Sequence, residues 1–95
     1  VGGLELNLDT KELFVDGTPV KVTPIEFRIL ELLMHYPGKV FSADSIYENV
    51  WKESAINTET VMVHIRNLRE KIEINPKNPR YLKVVWGVGY KIEKQ

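Results

Sequence analysis

Between Thr60 and Lys71 the chain gathers Thr60, Val63, His64, Arg66, Asn67, Arg69 and Lys71, side chains that carry charge, donate hydrogen bonds or end in an aliphatic tip. In the DNA major groove an Arg can grip guanine O6 and N7, an Asn can pair with adenine N6 and N7, and an aliphatic group can touch a thymine methyl. The same residue types also line ordinary solvated helix faces, so this segment alone leaves both readings open. Catalytic alternatives have far less to work with. His35 and His64 are the only histidines and lack metal-ligand spacing, and there is no H-E-x-x-H, G-x-S-x-G or Walker-type loop. Zero cysteines remove thiolate chemistry and Cys-based zinc sites. Gly87-Val88-Gly89 is a lone G-x-G between two strand-like runs rather than at a helix start, which reads as hairpin geometry and not as a phosphate cradle. The expectation is a binding module that is not an enzyme and uses no cofactor and no metal.

The charge order supports a polyanion partner although the net charge is zero. Residues 1–60 hold ten acidic and five basic side chains, while residues 61–95 hold eight basic and three acidic ones. Such asymmetry between halves points to a polyanion-binding face, against the plain alternative of a solvated surface with accidental clustering. The chain has 95 residues, enough for one compact domain spanning 1–95 that buries roughly 60 to 70% of its unfolded surface without disulfide or metal. Apolar runs are short and Val1-Gly2-Gly3 begins no export signal, so the expected setting is cytoplasmic.

These groups need a scaffold, and the local signals for one are strong. Leu4, Leu6 and Leu8 alternate with Glu5 and Asn7 as a half-buried strand does. Leu13-Phe14-Val15 follows, Asp16-Gly17 marks a tight hairpin turn, and Val20 and Val22 continue the return strand. Thr23-Pro24-Ile25-Glu26 combines an N-cap, a Pro at the first helical position and a capping-box Glu. The helix it starts has apolar residues on two faces, with Arg28, Glu31 and His35 as its polar stripe, and it is stopped by Pro37-Gly38. Ser42 caps a second helix to about Trp51. A third, capped by Asn57, runs to about Glu73 until Asn75-Pro76 forbids continuation. In it Val61, Ile65, Leu68 and Ile72 fall within about 60° of one another and face the core. The outward face then carries Glu59, Thr60, Val63, Arg66, Asn67 and Glu70, flanked by His64 and Lys71 on one side and Met62 and Arg69 on the other.

The chain ends in a hairpin over residues 81–92, with Lys83 and Lys91 flanking a turn tipped by Trp86. A tryptophan at such a tip serves contact with DNA sugar or a groove edge, packing on the hairpin's own glycines, or a partner protein. Basic residues beside it neutralise phosphates, which orient a protein on DNA without reading sequence.

Taken together, Val22-Thr23-Pro24-Ile25-Glu26-Phe27, Pro37-Gly38-Lys39-Val40-Phe41-Ser42, Val50-Trp51, the run Thr60 to Lys71 and Val85-Trp86-Gly87-Val88-Gly89-Tyr90 give a chain that resembles the winged-helix effector domain of OmpR/PhoB-type response regulators from Leu4 to Glu93. The resemblance implies an α+β fold: a winged helix-turn-helix with a four-stranded N-terminal antiparallel sheet, three helices and a C-terminal β-hairpin wing. It implies that the recognition helix, about 58–73, enters the major groove of double-stranded DNA while the wing, 81–92, reaches the adjacent minor groove. Carried over, Thr60, His64, Arg66 and Arg69 contact phosphate or groove edges, and Val63 and Asn67 are the base-reading positions. Two residues depart from the pattern. Asn67 stands where relatives often carry Arg, and Trp86 stands where many carry a wing Arg that enters the minor groove.

The resemblance also implies partners. They are double-stranded DNA with repeated half-sites, a second copy of the chain on that DNA, a sensor kinase that acts on a receiver domain absent from these residues, and RNA polymerase through the loop 52–56, a five-residue segment that reads at least as well as a plain connector. Within the family, the Val-Met-Val-His-Ile run and the Trp-Gly-Val-Gly-Tyr wing are most similar to regulators of low-GC Gram-positive bacteria. A reading from another class is a winged helix used for protein contact, docking through the Trp86 wing and the acidic N-terminal half.

Overall fold

The computed structural model describes residues 3–52 and 58–93. Its elements run β1 (Leu4–Asn7), β2 (Glu12–Val15), β3 (Thr18–Val20), α1 (Pro24–His35), α2 (Ala43–Trp51), α3 (Glu59–Ile72), β4 (Leu82–Val85) and β5 (Gly89–Ile92). Strands β1, β2 and β3 form one antiparallel sheet with β2 in the middle, and β4 and β5 form a second. The N-terminal sheet therefore has three strands among the described residues, not the four that the family likeness implies. Two further strand expectations shift. Leu8 lies beyond the end of β1 and is exposed, and Val22 lies beyond β3. The reason for the first is local. The Asn7 side chain accepts hydrogen bonds from the N–H groups of Asp9 (3.0 Å) and Thr10 (3.1 Å), folding the chain into a turn before Leu8 can continue the alternation.

Between β2 and β3, Asp16 (φ 50°) and Gly17 (φ 83°) both take positive φ, as a two-residue hairpin loop requires. At the start of α1, the Glu26 N–H donates to Thr23 Oγ1 (3.2 Å) and the Thr23 N–H donates to Glu26 Oε1 (2.9 Å), which completes the capping box. Phe27, Ile29, Leu30 and Leu33 of this helix are buried, so α1 is covered on two sides as its sequence requires. Helices α2 and α3 both pack against it. Ser42 caps α2, which buries Ile46 and Val50 and ends on Lys52 in the left-handed region (φ 59°). Thr58 precedes α3 without a side-chain cap bond; Asn57, the cap expected from sequence, lies outside the described residues.

Two buried carboxylates lock the layers. Glu26, 1% exposed, pairs with Lys71 Nζ at 2.5 Å, joining the first turn of α1 to the last turn of α3. Each charge sits at the helix end whose dipole favours it. Glu73 accepts hydrogen bonds from the backbone N–H groups of Arg80 (2.7 Å), Tyr81 (3.0 Å) and Leu82 (2.8 Å), so the first residues of the hairpin are tied to the end of α3. Tyr81 is buried in turn, and its hydroxyl donates to Asp16 Oδ1 (3.2 Å) in the N-terminal sheet. Burial pushes its phenol above the ordinary tyrosine value, and the Asp16 carboxylate adds to that while Arg80 opposes it.

Candidate nucleic-acid interface

In α3 the stripe Val61, Ile65, Leu68 and Ile72 is buried, as its spacing requires, and this fixes the opposite face toward solvent. Val63, Arg66 and Asn67 are exposed there together with Met62, Glu59 and Glu70. Thr60, His64 and Arg69 are half-buried. The outward face is thus mixed in charge, with Arg66 its clearest free cation among the sequence candidates.

The other cations of this helix are already engaged. Lys71 holds buried Glu26. Arg69 donates from Nη2 to the Pro76 carbonyl (2.5 Å), reaching across the turn that follows α3, and its buried Nε finds no acceptor among the described residues. His64 leans on Trp51 of α2, with ring centroids 5.8 Å apart, and its buried Nδ1 likewise finds no partner among the described residues. Trp51 itself stacks on Tyr47 at 4.8 Å with ring planes 6° apart.

Three backbone devices hold the hairpin to the segment between α1 and α2. Tyr90 exchanges two hydrogen bonds with Phe41, both 2.8 Å, so that the segment before α2 makes a single antiparallel bridge to β5. Gly89 permits this approach, because a Cβ there would stand 2.0 Å from the Phe41 carbonyl oxygen. Gly38 N–H donates to Ile92 O (2.8 Å) and ties the end of α1 to the same strand. Gly87 has a different role: at φ 71° it completes the turn closed by Val88 N–H to Val85 O (3.0 Å).

In the β4–β5 register Leu82 faces Ile92 and Val84 faces Tyr90, while Lys83 lies directly opposite Lys91. Leu82 and Ile92 are buried, and Val84 and Tyr90 extend the same side of the ribbon toward α3. There, Glu59, Met62, Val63, Ile65, Arg66 and Arg69 of α3 and Val84 and Tyr90 of the hairpin enclose one open cleft of about 540 Å³. The helix and ribbon therefore flank a common concavity. Lys83 and Lys91 occupy the opposite side of the ribbon, with Lys91 Nζ 3.1 Å from Glu93. Trp86, at 94% exposure, stands clear of the protein at the tip, which removes packing on the hairpin's own glycines from its possible roles.

Tyr90 and Trp51 also border the site, although neither is among the contact residues expected from sequence. The signal for Tyr90 was available in the alternation of the last strand, which puts it on the side of buried Ile92. Trp51 carried no such signal, because its approach to His64 depends on how α2 crosses α3. The loop 52–56 falls outside the described residues apart from Lys52. Among the described residues no group of acidic, His or Cys side chains could hold a metal ion, and no helix is long and apolar enough to cross a membrane.

Comparison with known proteins agrees with this geometry. Residues 17–92 match the family described as "Transcriptional regulatory protein, C terminal". The chain is 46% identical over 93 residues to the regulatory protein VanRc of Enterococcus gallinarum, covering 97% of this chain and 40% of that protein. It thus spans about two fifths of the length of such curated relatives. Among solved structures, the response regulator DrrB of Thermotoga maritima, described as an OmpR/PhoB homologue, superposes with a TM-score of 0.88 at 31% identity, over 98% of this chain and 42% of that one. The DNA-binding domain of the response regulator AdeR, solved in complex with an intercistronic region, superposes at 0.82 with 25% identity, over 98% and 96% of the two chains. Three helices and the antiparallel sheets accord with these relatives, and the chain belongs to the C-terminal family of transcriptional regulatory proteins as a winged-helix DNA-binding domain of the OmpR/PhoB type, not an enzyme.

Proposed function

We propose that this domain binds double-stranded DNA sequence-specifically as the output half of a two-component response regulator in the cytoplasm. In this reading α3 lies in the major groove and the wing rests on the adjacent minor groove. The observation that carries it is the cleft shared by Met62, Arg66 and Arg69 of α3 with Val84 and Tyr90 of the wing. Arg66 bonds phosphate or a groove edge, joined by Thr60 and His64, and Val63 and Asn67 read bases. Arg69 and Lys71, whose cationic groups are held by Pro76 and Glu26, act first by fixing the angle of α3 and only second through their field. Lys83 neutralises phosphate beside the wing.

Two copies on direct or inverted half-sites one helical turn apart, roughly 34–36 Å, suit a molecule whose longest extent is 36 Å. The greater length of the curated relatives leaves room for a receiver domain addressed by a sensor kinase. The loop 52–56 is the segment for RNA polymerase. Selection of duplexes by this chain from a random pool tests the proposal. A recurrent motif is expected, with half-site spacing near 10–10.5 base pairs, and Asn67→Ala changes preference at one position by about 1–3 kcal/mol. A pool that stays random, or binding indifferent to salt, removes the reading in favour of a protein-docking winged helix.

A further inference from the structure

Trp86 is the feature that the binding scheme leaves without a defined task. It occupies the second position of a hydrogen-bonded turn, Val85 to Val88, with Gly87 at φ 71° in the third. The turn therefore holds the indole outward rather than letting it fold back. Val88, 57% exposed, adds a second apolar group to the tip. Among the described residues no cation stands at the tip. The nearest on the two strands, Lys83 and Lys91, face each other across the ribbon three positions behind Trp86 and two behind Gly89.

From these positions we infer that Trp86 is a wedge: it enters the minor groove beside the α3 contacts, inserts against a base step and bends the duplex. This rests on the DNA-binding reading above and specifies how its wing recognises sequence. Three residues of extended strand span about 10 Å, and a minor groove is about 6 Å wide and 7.5 Å deep. With the indole at the groove floor, the backbone at Lys83 and Lys91 stands above the phosphate rims, within reach of their long side chains. Lys83 and Lys91, placed directly opposite, repel one another in the free protein; Glu93 offsets this at Lys91, and a phosphate beside Lys83 offsets it there.

The chemistry of the tip also selects the DNA sequence. A guanidinium is drawn to the enhanced negative potential of a narrow A-tract groove. An uncharged indole has no such attraction, and it gains by stacking where bases part easily. The wing should therefore favour a flexible pyrimidine–purine step, TA or CA, at its contact position, as apolar wedges in other minor-groove proteins do.

The test uses a duplex selected by the chain itself, with 2-aminopurine placed in turn at each step of the adjacent minor groove and end labels that report bending by energy transfer. The wild-type chain is expected to brighten 2-aminopurine at one step and to bend the duplex by on the order of 20–90°. Replacing that TA or CA step by AA should weaken binding. Trp86→Ala should lose both signals and about ten- to a hundredfold in affinity, with protection of the major groove retained, and Trp86→Phe should keep part of each. Trp86→Arg should bind a straighter duplex and shift preference toward AA. Trp86 is exposed, so these substitutions leave the core intact. A bound duplex with an intact major-groove footprint but no bend and no 2-aminopurine response overturns the wedge alone. So does Trp86→Ala that loses only the binding of a second copy, which would make the tip a protein contact. A chain that protects no duplex at all removes the DNA reading beneath it.

Discussion

Replacing Glu73 by Ala should detach the wing's root, and the cost can be worked from its hydrogen bonds. The carboxylate, 7% exposed as a residue, accepts from the N–H groups of Arg80, Tyr81 and Leu82, of which Tyr81 and Leu82 belong to buried residues. Leaving a buried donor unsatisfied costs about 1–3 kcal/mol, so two of them put the loss at roughly 3–5 kcal/mol once partial relaxation is allowed. Against a typical domain stability of about 5–15 kcal/mol this is large. For a domain near this size it corresponds to a fall in Tm of more than about 12 °C. Glu73→Gln keeps one acceptor oxygen but turns an amide donor toward the same N–H groups, and should fall between the two. Urea denaturation of the three proteins measures the ranking, and amide exchange at Tyr81 and Leu82 shows whether the loss is local to the wing. A Glu73→Ala protein within about 1 kcal/mol of wild type, with unchanged protection at those amides, would refute the assignment of Glu73 as the wing's anchor.

Lys71→Met leaves the Glu26 carboxylate buried without its cation; since the Lys71 side chain is 35% exposed, the cost should lie nearer 2 than 5 kcal/mol. The double variant with Glu26→Gln should recover part of that loss in the same denaturation assay. Gly89→Ala should cost about 1–3 kcal/mol because its methyl would overlap the Phe41 carbonyl, whereas Gly87→Ala, with open space around it, meets only the roughly 1 kcal/mol penalty of its positive φ. Tyr81 is an acid whose folded pKa lies above its unfolded value of 10.0. Its contribution is therefore fully present below that pH and is lost as pH rises through the raised folded value. Denaturation midpoints should drop in that alkaline range, and Tyr81→Phe should flatten the drop.

The parts of the fold that follow from neighbours in sequence were legible in advance. The capping box at Thr23 and Glu26, the Asp16-Gly17 turn, the Ser42 cap and the buried stripe of α3 each depend on residues a few positions apart. The N-terminal sheet was less so, because the Asn7 turn ends β1 before Leu8 and a strand needs a partner edge as well as composition. The candidate interface divides the same way. Val63, Arg66 and Asn67 follow from helical period and stand exposed. Lys71 could not be separated from them by local pattern, since the buried acid that holds it comes from α1. Arg69 was obscured similarly by the turn at Pro76, whose path back to the helix is not encoded in the period of α3. Tyr90 faces the cleft through its pairing with Val84, a register legible only once the turn at Gly87 is placed.

The central claim is that α3 and the wing grip one duplex together, each in its own groove. Dimethyl sulfate reports both grooves in a single experiment, because it methylates guanine N7 in the major groove and adenine N3 in the minor groove. On a selected duplex the account predicts protected guanines opposite α3 and protected adenines about half a helical turn away, roughly five base pairs, opposite Trp86. Arg66→Ala should weaken both protections and lessen their salt dependence by about one phosphate. Protection confined to one groove, or two patches on opposite sides of the duplex, would contradict it.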